Sequence, residues 1–163
     1  MKITNLIWED TVNYRKTALF IGTAKCSFKC GKANCQNKAL DGADDHEVDT
    51  ETVIDRYLSN PLTEAIVFGG LEPLDQVDEL EEFIEALNRH HVADDLVIYT
   101  GYTEAEAREK MDFLLGLNQY RNLIAKYGRY LPDRPERYEP LLGVRLVSDN
   151  QYAVRYPSGG DNA

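Results

Sequence analysis

A chain of 163 residues, 43% of them apolar and 10% aromatic, can bury most of its surface around one core, so neither disulfides nor a metal is required for folding. A formal net charge of -10 argues against nucleic acid or anionic lipid as a partner, because both call for a basic field. No apolar run approaches the ~20 residues that cross a bilayer, and nothing after Met1-Lys2-Ile3-Thr4 resembles a secretory leader; the chain reads as soluble and cytoplasmic.

Ala18-Leu19-Phe20-Ile21, ended by Gly22, reads as a buried strand that delivers the next segment to one end of a sheet. That segment holds every cysteine of the chain, Cys26, Cys30 and Cys35. Asp49 or Thr50 can cap a helix through Val53, Ile54, Tyr57 and Leu58, which Asn60-Pro61 stops. A second strand, Ala65 to Phe68, runs into Gly69-Gly70, and Val77, Leu80, Phe83, Ile84 and Leu87 then share one helical stripe. Leu96 to Tyr99 is a third strand, followed by a helix with Thr103 as cap and Glu106 as its reciprocal partner. Asn122 to Tyr127 reads as a fourth strand, residues 129–140 as ordered loop, and Val144 to Val147 and Tyr152 to Arg155 as further strands. One domain spans 1–156, and 157–163 is expected to fray. Strands alternating with helices at this spacing predict an α/β fold with a mostly parallel sheet, open or curled toward a barrel, and a ligand site at the strands' C-terminal ends.

Three thiolates on one strand-end loop can hold three irons of a four-iron, four-sulfur (4Fe-4S) cluster. A zinc site with His46 or Asp44 as fourth ligand is the alternative, and three ordinary cysteines that fall together is another. An odd cysteine count excludes a fully paired disulfide framework, and a reducing compartment keeps thiols available as ligands. Lys25, Lys29 and Lys32 either lower the thiol pKa values or serve solubility alone. Gly69-Gly70 suits a tight turn or a close backbone approach to a ligand, and Glu72 offers a carboxylate to an amino group beside the cysteine loop. His46, His90 and His91 carry no assigned role.

The chain resembles the radical S-adenosylmethionine (SAM) superfamily, and within it the activating proteins of anaerobic ribonucleoside-triphosphate reductase. The likeness rests on Asp10-Thr11-Val12-Asn13, the cysteine loop, Gly69-Gly70-Leu71-Glu72-Pro73-Leu74, Ile98-Tyr99-Thr100-Gly101-Tyr102-Thr103 and Ser148-Asp149-Asn150-Gln151. Two departures stand out: four residues rather than two separate the second and third cysteines, with Asn34 where the family has an aromatic that leans on adenine, and Leu71 is inserted before Glu72. Phe28 is the candidate to take the aromatic's place. The resemblance implies a partial (β/α) barrel, a 4Fe-4S cluster on Cys26, Cys30 and Cys35, and SAM held by Gly69, Gly70, Glu72, Thr100 and Lys126. It implies a radical SAM oxidoreductase that takes an electron from a reduced flavodoxin or ferredoxin and makes a glycyl radical on an anaerobic ribonucleoside-triphosphate reductase or another glycyl-radical enzyme, docked near Arg129 to Arg137 and Asn150-Gln151. The same chemistry on a small molecule, or a noncatalytic metal-binding interaction module, are the competing expectations.

Overall fold

The computed structural model describes residues 1–112, 120 and 122–156; the expected frayed tail lies outside them. In chain order the strands are β1 (Lys2–Asp10), β2 (Ala18–Thr23), β3 (His46–Glu47), β4 (Ala65–Gly70), β5 (Asp95–Tyr99), β6 (Leu123–Tyr127), β7 (Arg137–Glu139), β8 (Val144–Leu146) and β9 (Tyr152–Arg155). The helices are α1 (Thr50–Leu58), α2 (Val77–Arg89) and α3 (Glu104–Lys110). Seven strands form one sheet in the order β3-β1-β2-β4-β5-β6-β9, and β7 pairs with β8 in a separate hairpin.

The four central strands β2, β4, β5 and β6 are parallel and in continuous register, for example Ile21 opposite Phe68 and Phe68 opposite Ile98. Their residues are buried almost throughout, as expected for apolar runs covered on both faces. Antiparallel β1 and β9 flank them. Among the described residues the sheet is open, with β3 and β9 at its two edges; the protein is α/β with a mostly parallel centre.

One face is packed by the helices. Asp49 caps α1 by accepting from Thr52 N–H, and Val53, Ile54 and Tyr57 bury against Leu80, Phe83, Ile84 and Leu87 of α2 and the strand residues Leu19, Ile66, Phe68 and Ile98. The Phe68 and Phe83 rings meet edge to face, 5.2 Å apart, a favoured aromatic geometry. At α3, Thr103 and Glu106 form the capping box that their spacing predicts. Among the described residues the opposite face has no helix over it: Ala18, Val67, Val97 and Ile124 pack against Tyr14, Leu142 and Leu146. Residues 129–140, expected as loop, therefore contain β7, whose pairing with β8 forms the hairpin that covers this face. The parallel strands place the cysteine loop, Gly69-Gly70, Thr100 and Gly128 along one edge of the sheet.

Candidate functional site

The cysteine loop leaves β2 and turns back on itself through two residues of left-handed backbone, Phe28 (φ 52°) and Gly31 (φ 84°). Its base is wired to the segment after β4. Gln76 Oε1 accepts from the N–H groups of Ala24 (2.6 Å) and Lys25 (2.9 Å), Asp75 Oδ2 accepts from Ser27 N–H (2.6 Å), and Glu72 N–H donates to Lys25 O (2.9 Å). Further along the loop, the Asn37 side chain donates to the carbonyl of Gly70. Asp75 and Gln76 escape a reading of the sequence, where they look like the solvated start of an acidic helix; their partners lie some fifty residues away in the chain.

Cys26, Cys30 and Cys35 are all half-buried and all face one cavity of about 470 Å³. Burial pushes the Cys26 thiol up to about 11, against the hydrogen bond that Phe28 N–H donates to its sulfur, and the Glu72 and Asp75 carboxylates push in the same upward direction. Cys30 is raised as well, by burial and by its neighbour Cys35, while Arg129 pulls it down. Lys25, Lys29 and Lys32 have partners of their own outside the thiols. Lys25 is paired with Glu79 at 2.8 Å, Lys32 with Asp41, and the Lys29 ammonium lies over the Tyr102 ring. The cation that pulls Cys30 down is Arg129, which lines the same cavity.

Gly69, Gly70, Glu72, Thr100 and Lys126 line the same cavity. Gly70 has φ 81°, and a Cβ there would stand 2.9 Å from Gly22 Cα and 3.0 Å from Thr23 N; its missing side chain clears the backbone of β2. At Gly69 a Cβ would meet the Phe20 ring at 2.9 Å. Both glycines therefore serve strand packing first and leave their peptide groups at the cavity wall as a result.

Glu72 is 7% exposed. One of its oxygens accepts from Thr100 Oγ1 (2.7 Å) and Leu74 N–H (3.1 Å), and the other from Gly101 N–H (2.8 Å). Burial outweighs these three donors and raises the carboxyl to about 6. The Thr100 hydroxyl, spent on Glu72 and on the N–H of Tyr102 (3.0 Å), orients the carboxylate from behind. Lys126, also 7% exposed, donates to Gly128 O at 3.1 Å and lies 6.0 Å from the Tyr99 ring centroid. Burial lowers its ammonium to about 8, and the Glu72 charge works the other way.

Of Ser148-Asp149-Asn150-Gln151, Gln151 lines the cavity, beside Arg129, Tyr130 and Val144 to Val147. Leu131 N–H donates to Ser148 Oγ (3.4 Å), Asn150 Nδ2 to Arg129 O (2.9 Å) and Gln151 Nε2 to Gly128 O (3.1 Å). These contacts hold the segment that carries Arg129 and Tyr130 against the cavity. Phe28 and Asn34 are not among the residues that line it.

The donor set suits a cluster better than a single ion. Among the described residues no three Cys, His, Asp or Glu side chains converge as one ion would require, whereas a cluster takes each thiolate on a different iron. His46 and Asp44 are exposed and outside the lining, which removes the geometric basis for a zinc site of three cysteines completed by either. No curated protein and no solved structure matches the chain. Residues 14–134, about three quarters of its length and including all three cysteines, match the family described as the 4Fe-4S single cluster domain. With its cysteines gathered at one cavity and most of its length within that match, the chain belongs to the 4Fe-4S single cluster domain family.

Proposed function

We propose that the protein is a radical SAM oxidoreductase of the glycyl-radical activating kind, built on the superfamily's partial barrel, with an anaerobic ribonucleoside-triphosphate reductase or another glycyl-radical enzyme as its partner. One observation carries the reading: the three cysteines, Gly69-Gly70, Glu72, Thr100 and Lys126, contributed by the ends of four adjacent parallel strands, line a single cavity. Cys26, Cys30 and Cys35 would hold three irons and leave the fourth open to the methionine end of SAM. When bound, the cluster and SAM supply a 5′-deoxyadenosyl radical on receipt of one electron from a reduced flavodoxin or ferredoxin, and that radical takes a hydrogen atom from a glycine Cα of the partner.

The residues of this chain bind and orient. Ionised Glu72 accepts from the amine of the methionine end, its remaining lone-pair direction being open once Thr100, Leu74 and Gly101 are served. Lys126, a buried cation with protons to spare beyond its bond to Gly128 O, suits the carboxylate. The β7–β8 hairpin covers the second face of the sheet, and Val144, Arg145 and Leu146 of β8 line the cavity. That hairpin also favours a second reading, the same chemistry on a small molecule, because the chain itself covers a face through which a bulky partner could otherwise approach.

Reconstitution with iron and sulfide without oxygen tests the proposal. The protein is expected to turn brown, each of Cys26→Ala, Cys30→Ala and Cys35→Ala to lose that absorbance, and the reduced wild type to cleave SAM to methionine and 5′-deoxyadenosine. Mixing with the reductase encoded by the same genome is expected to give a glycyl-radical doublet in the electron spin resonance spectrum. SAM cleavage with no doublet transfers the assignment to the small-molecule reading. Stoichiometric zinc in protein purified without oxygen refutes both.

A further inference from the structure

Asp75 touches the cysteine loop without lining the cavity. Its Oδ2 accepts from the N–H of Ser27 at 2.6 Å and its Oδ1 from Tyr102 Oη at 2.5 Å, with Lys110 Nζ 3.6 Å from that second oxygen. The Tyr102 hydroxyl also lies 3.2 Å from Ser27 Oγ, so Ser27 is held at its backbone and at its side chain. Burial pushes the Asp75 carboxyl up, but the bonds from Tyr102 and Ser27 and the Lys110 charge outweigh it and leave the group below the ordinary carboxylate range. The Asp75 side chain is 13% exposed and that of Lys110 34%, so water screens the cation more than the anion. What remains is a negative charge fixed against the residue that follows Cys26.

Two effects follow for a cluster on Cys26, Cys30 and Cys35. Ser27 N is four bonds from Cys26 Sγ, which puts the Asp75 oxygen within about 8 Å of that sulfur. One-electron reduction adds a negative charge to the cluster, and a fixed carboxylate at that range opposes it. Hydrogen bonds donated to the sulfurs work the other way, because they stabilise the charge that reduction brings. Phe28 N–H makes such a bond, to Cys26 Sγ at 3.2 Å. The neighbouring Ser27 N–H is turned to Asp75 instead and is withheld from sulfur.

We infer that Asp75 sets the reduction potential of the cluster, holding it low through its charge and through its claim on Ser27 N–H. Asp75 is a positioning residue, since it acts through Ser27 and Cys26 and does not reach the cavity. The inference rests on the cluster alone and is independent of which ligand the cavity takes. A low potential makes the reduced cluster a strong electron donor, as any acceptor that is hard to reduce requires.

Potentiometric titration of the cluster-loaded protein with dithionite, followed through the electron spin resonance signal of the reduced cluster, tests the inference. Asp75→Asn keeps an acceptor for Ser27 N–H and removes the charge. Its reduction is expected to be about tenfold more favourable than in the wild type, the order of one partly screened charge at this range and an effective dielectric near 20; for a one-electron couple that is a midpoint about 59 mV higher. Asp75→Glu, which keeps the charge, should stay close to the wild-type midpoint. Both variants are expected to carry the wild-type iron content, which separates tuning from a loss of packing. Lys110→Gln, which strips Asp75 of its counter-charge, should lower the midpoint, and it supplies the reading if Asp75→Asn takes up no iron. An Asp75→Asn midpoint equal to that of the wild type at full iron content overturns the inference, as does a Lys110→Gln midpoint that is unchanged or higher. A wild type that takes up no cluster refutes the cluster assignment, and the inference with it.

Discussion

A carboxylate held at 7% exposure beside three sulfurs is costly when charged, and Glu72 is kept only partly comfortable by its three donors. Its folded pKa stands at about 6 against an ordinary 4.5. A raised folded value means that the native state binds the proton more tightly than the unfolded chain. The resulting stabilisation is complete below 4.5 and is lost as pH rises through about 6. Glu72→Gln has no such proton, so the stability of the wild type relative to this variant is expected to fall by about 2 kcal/mol between about pH 4 and pH 7 in urea titrations. A flat difference would show that the hydrogen bonds fully offset the burial. In the ionised state Glu72 and Lys126 face one cavity with opposite charges, which is why Glu72 appears among the causes of the shift at Lys126. A ligand with an amine and a carboxylate at the same end finds both partners charged between about 6 and about 8.

Among the elements, β4 does the most to position the site, and its terminal glycine has a reason that differs from the one its motif suggests. From sequence, paired glycines beside Glu72 read as room for a ligand. In the structure Gly70 combines left-handed φ with a β2 backbone 2.9 Å from where a Cβ would sit. Gly70→Ala is accordingly expected to cost about 2 kcal/mol or more in folding stability, read as a lower denaturation midpoint in the metal-free protein. Unchanged stability with reduced ligand affinity would return the glycine to a purely ligand-facing role. The central strands and α1 to α3 were legible because their apolar residues follow period and their caps are local, Asp49 to Thr52 and Thr103 to Glu106. β1 was not, because its burial follows no clean alternation and its register shifts twice along β2. β7 was hidden by its three-residue length within a proline-bearing stretch. For the site, the spacing of the cysteines and Gly69-Gly70 pointed to the edge of the sheet where the structure gathers them, but Asp75, Gln76 and Gln151 act through partners distant in sequence, which no local pattern displays.

At the scale of the whole molecule, the end of the sheet opposite the cavity is tied by Asp95 at the start of β5. Its carboxylate accepts from Tyr14 Oη (2.9 Å), Lys16 Nζ (2.7 Å) and Arg155 (2.9 Å), joining the β1–β2 connection and β9 to the sheet centre. The side chain of Asp95 is 7% exposed while those of Lys16 and Arg155 are 38% and 35% exposed, so solvent screens part of the attraction. Asp95→Ala is expected to cost about 3 kcal/mol, the lower end for breaking a buried charge network, and to leave iron content unchanged in protein that remains folded. A loss of iron at full stability would instead connect this knot to the cavity. The order of the strands has one more consequence. The cysteine loop is translated well over a hundred residues before Gln151, about 10 s earlier at ordinary elongation rates, and β7, β8 and β9, which supply the cover and part of the cavity lining, come last. During that interval the nascent chain already carries its three thiols while the pocket beside them is still unbuilt, so iron and sulfide can be delivered to an open loop and be enclosed afterwards by the strands made later.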